Sequence, residues 1–328
     1  MPDLNKLESY DYELPPDLIA QRPVTPRDAS RLLVVSRSSR SFSDHLFTDL
    51  PRFLEQGDVL ALNNTKVIPA RLQSSHGEVL LVRPAKNGCW DAMVSPGKRF
   101  KPGTRIEFGH GIAAHVVSAS PIGRLLRIEG DVERLLQQGK MPLPPYIERD
   151  ADASDDVTYQ TIFARIKGSI AAPTAGLHFT KRIFDALAKK RVETERLTLH
   201  VGPGTFRPVK SSDIRHHTIH PEFYRCSRAA WNRISAAKRV IAVGTTSTRA
   251  LETMAQTGKL SGEAEIFIHP GFVFRRVNAL ITNFHLPKSS LLMLVCALGG
   301  YDLIRRAYQH AIEQRYRFYS YGDAMLIL

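Results

Sequence analysis

Four side chains in this chain stand where acid–base chemistry can be done: His178, His200, His285 and Asp323. Imidazoles and carboxylates can be tuned to exchange protons near neutrality. His178 lies in Ser169–Thr180, a stretch of small residues that includes Thr174 and Gly176. Few side chains there stand between the backbone and a ligand. His200 comes near the carboxyl end of an apolar strand and is followed by Gly202, Pro203 and Gly204, then Arg207. Ligands of open α/β sheets sit at such strand ends. His285 closes a similar run, Thr282-Asn283-Phe284. Asp323 is the one carboxylate of the aromatic tail Tyr316–Met325, which also holds Tyr321, and its neighbours Gly322 and Ala324 offer it no packing role. The plain alternative for His178 and His200 is a satisfied core histidine, since histidine is commonly of intermediate burial.

A fifth feature suits an anion. Val240–Gly244 reads as a buried strand running into a helix that begins Thr245-Thr246-Ser247-Thr248-Arg249. Hydroxyls and free amides at a helix start form a seat for a carboxylate, although ordinary N-capping would use one of the hydroxyls. Arg249 could add a bidentate contact. The two glycines after His200 lack the fuller dinucleotide fingerprint, and Pro203 blocks smooth entry into a helix. His217 and His220 are three apart without a third ligand at a familiar spacing, so no metal is expected. The tyrosines of the tail, beside Arg317, suit either base stacking or core packing.

These residues need elements to hold them. From residue 58 the chain reads as short strands near Val59–Leu62, Val67–Leu72, Glu78–Arg83, Trp90–Ser95, Arg105–Phe108, Ala113–Ser118 and Arg124–Glu129. Turns such as Lys86-Asn87-Gly88 divide them, the pattern of a small barrel. After the polar loop Asp150–Asp156, strands at Arg196–Val201, Arg239–Gly244, Glu265–Ile268 and Ala279–Phe284 alternate with helices. The helices are Lys181–Arg191, capped by Thr180, then Arg228–Ala237, Ser247–Thr257, Ser289–Ala297 and Leu303–Arg315. Alternation implies a mostly parallel sheet with helices on its faces. The expected fold is α/β with an inserted small β-barrel domain: residues 1–57 begin the α/β domain, 58–150 form the insertion and 151–328 complete the α/β domain.

Composition narrows the class. Lys and Arg exceed Asp and Glu to give a formal charge of +13 over 328 residues, and the sequence pI is about 9.8. Such an excess favours a polyanionic partner, most often nucleic acid. The polar start of the chain, the three distant cysteines and the lack of a long apolar run predict a cytoplasmic protein with no disulfide framework, no cysteine zinc site and no membrane span.

Several motifs in order then resemble one family. Asn64–Leu72, Ala171–Thr180, His200–Val209, Val243–Arg249, Thr282–Lys288 and Tyr316–Met325 are similar to the S-adenosylmethionine:tRNA ribosyltransferase-isomerases of the queuosine pathway. The resemblance covers the chain from about Asp11 onward. It implies transfer of the ribosyl part of S-adenosylmethionine to 7-aminomethyl-7-deazaguanine in the tRNA wobble position. The sugar is isomerised to give epoxyqueuosine, and adenine and methionine are released. S-adenosylmethionine is then a consumed co-substrate, no cofactor is required, and the partner is tRNA bearing the modified base. A monomer is expected.

That chemistry asks for a base at C5′, an acid near the leaving adenine and a holder for the methionine carboxylate. His178, His200, His285 and Asp323 are the candidates for proton transfer. Thr174, Gly176, Gly202, Gly204, Arg207, Thr245, Thr246, Ser247, Arg249, Asn283 and Tyr321 are the candidates for substrate binding. Departures from the family pattern are a short hairpin at Ser74–Val79, no glycine pair before Val240, and His269 where tyrosine is common. Two rivals are a methyltransferase, whose usual glycine loop after the first strand is missing, and a non-catalytic RNA-binding module.

Overall fold

A computed structural model describes residues 2–206, 209 and 211–328. In chain order the strands and helices are β1 (Arg31–Ser36), β2 (Ser41–Leu46), β3 (Asp58–Asn63), β4 (Thr65–Val67), β5 (Arg71–Ser74), β6 (Gly77–Pro84), β7 (Cys89–Ser95), β8 (Arg105–Gly109), β9 (Ile112–Ala119), β10 (Arg124–Glu129), α1 (Val132–Leu136), α2 (Asp155–Thr158) and β11 (Ile166–Ser169). They continue with α3 (Lys181–Lys189), β12 (Glu193–Leu199), β13 (Glu222–Cys226), α4 (Arg228–Ala236), β14 (Arg239–Val243), α5 (Thr245–Thr257), β15 (Ser261–Ala264), β16 (Ala279–Asn283), α6 (Ser290–Gly299), α7 (Tyr301–Glu313) and β17 (Ala324–Ile327).

Nine strands form one sheet in the order β15-β13-β12-β3-β14-β16-β17-β1-β2. The central run β12, β3, β14 and β16 is parallel, as the alternation of strands and helices predicts. Antiparallel neighbours flank it: β13 and β15 at one end, β17 beside β16, and β2 at the far edge. The whole sheet is therefore mixed. One face packs α4, α5, α6 and α7 through an apolar layer that includes Ala61, Leu251, Val295 and Ile304. The other packs α3 and the 3-10 segment Phe47–Phe53 against Leu60, Leu62, Val243 and Ile281. Thr180 accepts from Ile183 N at 3.4 Å to start α3, and Ser289 accepts from Leu292 N at 3.2 Å to start α6.

Six further strands, β5 to β10, make an antiparallel sheet with its own apolar interior. Ser75 N donates to Glu107 O at 2.8 Å, bringing the β5–β6 hairpin onto β8 and nearly closing a barrel. The short hairpin seen in the sequence is a two-residue turn, since Ser74 pairs with Gly77.

Three strand expectations need correction, and one strand is not anticipated. Val59–Leu62, grouped with the barrel strands by its spacing, is β3 at the centre of the large sheet. All six residues of β3 are buried, as suits a strand covered on both faces. Val67–Leu72 is broken around Pro69, whose ring supplies no amide. Its halves serve two sheets, β4 pairing with β11 and β5 joining the barrel. The strand near Glu265–Ile268 is β15, ending at Ala264. The end of the aromatic tail is β17, inserted between β16 and β1.

Candidate active site

The carboxyl ends of β14 and β16 face the loop 170–178, and a cavity lies between them. After β14, Gly244 turns the chain at φ 89° and leads into α5. Only glycine adopts this conformation without strain. Thr174, Thr245, Thr246, Asn283 and His285 line this cavity. Five of the sequence candidates thus come together from three separate segments. Tyr146 and Ser320 join them, with Tyr146 Oη 2.6 Å from Ser320 Oγ. Sequence reasoning passed over both: Tyr146 lies in the proline-rich exit from the barrel, where no periodicity marks a buried face.

The α5 start has no side-chain cap, so its first amides remain available to a ligand at the cavity wall. The hydroxyls divide differently from expectation. Ser247 donates to Val243 O at 2.7 Å and Thr248 to Gly244 O at 3.2 Å, both one turn back along the chain. Ser247 is fully buried and lines no cavity among the described residues, so it offers no hydroxyl to a ligand. Thr246 Oγ1 accepts from Asn63 Nδ2 at 3.3 Å.

A second cavity of about 600 Å³ adjoins the first across Leu291. Gly204, His217, His220, Glu222 and Arg249 contribute to its wall, with Ile266 and Leu294 as apolar surface. Arg249 is not a free guanidinium. It is ion-paired with Glu222, and its Nη2 donates to Ala264 O at 2.9 Å. Gly202 N donates to Glu222 Oε1 at 2.8 Å, so Gly202 supports this pair from behind. Arg207 lies outside the described residues.

His178 is a buried junction. Asn283 Nδ2 donates to Tyr319 O at 3.0 Å, which orients the amide, and the same nitrogen stands 3.2 Å from His178 Nε2. Nε2 therefore accepts, and Nδ1 carries the proton toward Ser30 Oγ at 2.7 Å. The ring stacks on Phe47 with centroids 5.0 Å apart. Burial, aided by the nearby charges of Arg317 and Arg27, pushes its pKa down to about 3. His178 meets only a small third cavity, shared with Tyr321. Tyr321 Oη donates to Asp155 Oδ1 at 2.8 Å, and burial raises its pKa.

Asp323 is a clamp. Its two carboxylate oxygens accept from Arg31 N at 2.9 Å and Arg317 N at 2.8 Å, fixing the entry to β1 and the approach to β17. Burial raises its pKa, against the pull of those two amides. His200 stacks on Phe223, its Nδ1 stands 2.8 Å from Thr65 Oγ1, and burial lowers its pKa. Neither Asp323 nor His200 lines any of these three cavities. Gly176 is a packing glycine, because a Cβ there would sit 2.7 Å from Phe163 Cζ.

His285 differs from the other three. It is half-buried in the wall beside α5, and its Nε2 is 2.7 Å from Thr282 Oγ1. Thr282 Oγ1 also donates to Asn283 O at 3.2 Å. With that proton directed away, Nε2–H donates to the threonine and the Nδ1 lone pair is left for a ligand. Burial lowers its pKa to about 3, so the ring is neutral at physiological pH.

With this geometry in place, the comparisons with known proteins are specific. A family model described as "Queuosine biosynthesis protein" matches residues 7–327. The chain belongs to the queuosine biosynthesis protein family. It is 51% identical to the S-adenosylmethionine:tRNA ribosyltransferase-isomerase of Symbiobacterium thermophilum and 50% identical to that of Rubrobacter xylanophilus. Those alignments cover 98% of this chain in both cases, and 100% and 98% of the relatives. A crystal structure of S-adenosylmethionine tRNA ribosyltransferase from Thermotoga maritima is similar with a TM-score of 0.58 and 36% identity, over 98% of this chain and 100% of that one. The shared architecture of this queuosine family, a helix-covered sheet carrying a small barrel, agrees with the fold expected from the sequence.

Two outcomes follow from the site's electrostatics. Free histidine titrates near 6.5, whereas His178 and His285 titrate near 3 in the fold. Between those values the unfolded chain binds protons that the folded chain refuses. Stability is thus full above pH 6.5 and falls on acidification by about 1.4 kcal/mol per pH unit for each imidazole. Urea titrations between pH 7 and 4.5 should show this slope, reduced by one proton in His178→Gln. The buried Arg249–Glu222 pair predicts that Arg249→Ala costs about 3 kcal/mol or more of stability, because it deprives a buried carboxylate of its partner. A lowered urea midpoint would report it, and an unchanged midpoint would contradict it.

Proposed function

We propose that this chain is an S-adenosylmethionine:tRNA ribosyltransferase-isomerase. It transfers and isomerises the ribosyl group onto 7-aminomethyl-7-deazaguanine in the tRNA wobble position, forming epoxyqueuosine and releasing adenine and methionine. Full-length identity of about half to proteins of that name supports the reading. The observation that carries it to residues is the meeting of an uncapped helix start, a neutral imidazole and a buried amide in one cavity. We place the reaction in the cytoplasm and assign it to a monomer that consumes S-adenosylmethionine without a resident cofactor.

Each group has a role suited to the chemistry. The amides opening α5, with the hydroxyls of Thr245 and Thr246, hold the methionine carboxylate, since a helix N-terminus favours negative charge. Asn283 is 2% exposed at the cavity wall, and its Oδ1 has no hydrogen-bond partner among the described residues. An unsatisfied buried acceptor is costly unless a ligand donates to it. A ribose hydroxyl or the attacking amine supplies such a donor. His285 Nδ1 is the acceptor for the C5′ proton, which the neighbouring sulfonium makes acidic, and the methionine carboxylate bound beside it raises the basicity that burial lowers. The purine and the sugar extend across Leu291 into the larger cavity.

His178 and Asp323 act through position. His178 holds Asn283 through its amide nitrogen, leaving Oδ1 without a partner among the described residues. Asp323 anchors the segment that brings Tyr319 and Ser320 to the wall.

Incubation with S-adenosylmethionine and tRNA bearing the aminomethyl base, followed by nucleoside mass spectrometry, tests the reaction. Epoxyqueuosine with equal adenine and methionine is expected. An added methyl group would mark a methyltransferase, and bound but unchanged tRNA an RNA-binding module. His285→Ala should lower single-turnover rates by about a hundredfold or more while S-adenosylmethionine affinity changes little. A near-normal rate in the folded variant would remove His285 from proton transfer.

A further inference from the structure

The face of the large sheet that packs α3 is covered only over part of its width. The apolar layer beneath α3 takes residues from β1, β3, β14, β16 and β17, and none from β12, β13 or β15. Strand register shows what stands on this uncovered end. Thr198 of β12 pairs with Arg225 of β13, and Arg196 pairs with Leu62 of β3, which belongs to the covered layer. Arg196, Thr198 and Arg225 therefore share that face, while Leu197, Leu199 and Tyr224 point into the opposite core. Phe223, two residues from Arg225, alternates onto the same side and is 43% exposed.

Phe223 continues into a shelf. The His200 ring stacks beside it at 5.9 Å with an interplanar angle of 23°. His200 in turn lies against Gly168, where a Cβ would come within 2.8 Å of the imidazole. Gly168 belongs to the β4–β11 ribbon, which carries exposed Lys66 directly opposite exposed Lys167, with exposed Arg165 adjacent. Like charges facing each other across a ladder oppose folding. Lys167 reaches Glu133 at 2.8 Å, but Lys66, Arg165, Arg196 and Arg225 have no side-chain hydrogen bond or ion pair among the described residues.

We infer that this open end of the sheet is where the single-stranded loop of the RNA substrate lies. Its phosphates meet the unpaired basic side chains, and an unstacked base rests on Phe223. The inference depends on the reading of tRNA as substrate and adds the surface that receives it. One exposed aromatic on a strand, with arginine two residues away and its cross-strand neighbour Glu263 neutralised by Arg83, matches the chemistry of unpaired nucleotides. Every base has a face to stack, and every linkage has a charge to neutralise. The surface also leads to the reaction. His200 is followed by Val201, and Gly168 is followed within a few residues by Ala172, and both Val201 and Ala172 line the cavity beside α5. A loop held here has its next nucleotide at the cavity mouth.

The test compares affinity for tRNA and for an anticodon stem-loop RNA across a salt series, by fluorescence anisotropy. The proteins are wild type, Phe223→Leu, Phe223→Trp, Arg196→Gln and Arg225→Gln, with S-adenosylmethionine binding followed in parallel. Phe223→Leu keeps the packing and loses the stack, so RNA affinity should fall about tenfold, and Phe223→Trp should restore it. Each arginine variant should weaken binding and flatten the log–log salt slope by about 0.7. S-adenosylmethionine affinity should stay at its wild-type value throughout. Wild-type RNA affinity and slope in the folded variants would overturn the surface while leaving tRNA as the substrate. Failure of the wild type itself to bind RNA would overturn both.

Discussion

The site depends on one buried imidazole that burial keeps neutral at physiological pH. His178 links Ser30 ahead of β1, Asn283 at the end of β16 and the loop 170–178 to which it belongs. Asn283 passes the connection to Tyr319 O, and Asp323 closes it by binding the amides of Arg31 and Arg317. Four segments of the chain are thus joined by polar contacts in a buried region. In such surroundings each satisfied hydrogen bond is strong and each missing one is expensive. Protonating His178 would place a cation beside Arg27 and Arg317 and remove the acceptor for Asn283. The node consequently has one working state, and the cavity wall built on it has one geometry.

The division of labour among the histidines comes from burial and partners. His178 has both ring nitrogens engaged and little contact with the cavities. His200 is stacked on Phe223 and leans on the β4–β11 ribbon. His285 alone among the three presents an edge to the cavity beside α5, with one nitrogen occupied by Thr282. The hydroxyls of α5 divide in the same way. Those of Ser247 and Thr248 bond one turn back along the chain, while Thr245 and Thr246 remain at the wall. Because the backbone absorbs two hydroxyls and no side chain caps the helix, the first amides stay open at the cavity wall.

The basic excess is likewise divided. Many arginines are spent on internal order, such as Arg149 on Asp155, Arg239 on Asp58 and Arg249 on Glu222. These pairs are at least partly buried and neutralise charge that a simple sum counts as available. Other basic residues stay exposed, among them Lys98, Lys101, Lys189 and Arg228, and also Arg196, Arg225, Lys66 and Arg165, which stand near exposed Phe223 at one end of the sheet.

The sequence by itself determined the alternation of strands and helices after residue 156, the caps at Thr180 and Ser289, and most barrel strands. These are local matters of periodicity, turn chemistry and capping, which neighbouring residues decide. It also carried enough ordered motifs to indicate the family. Tertiary structure decided the rest. A buried run such as Asp58–Asn63 reads alike in a barrel or a central sheet position, so only pairing with β12 and β14 placed it. The aromatic tail gives no sign of a strand because its role depends on pairing with β16 and with β1, the latter nearly the whole chain away. Arg249 is of a type that suits a ligand contact, yet Glu222 takes its guanidinium, and Asp323 is of a type that suits proton transfer, yet the amides of Arg31 and Arg317 hold its oxygens. A side chain's type states what it can bond; which partner it meets is set by contacts between residues that the sequence keeps far apart.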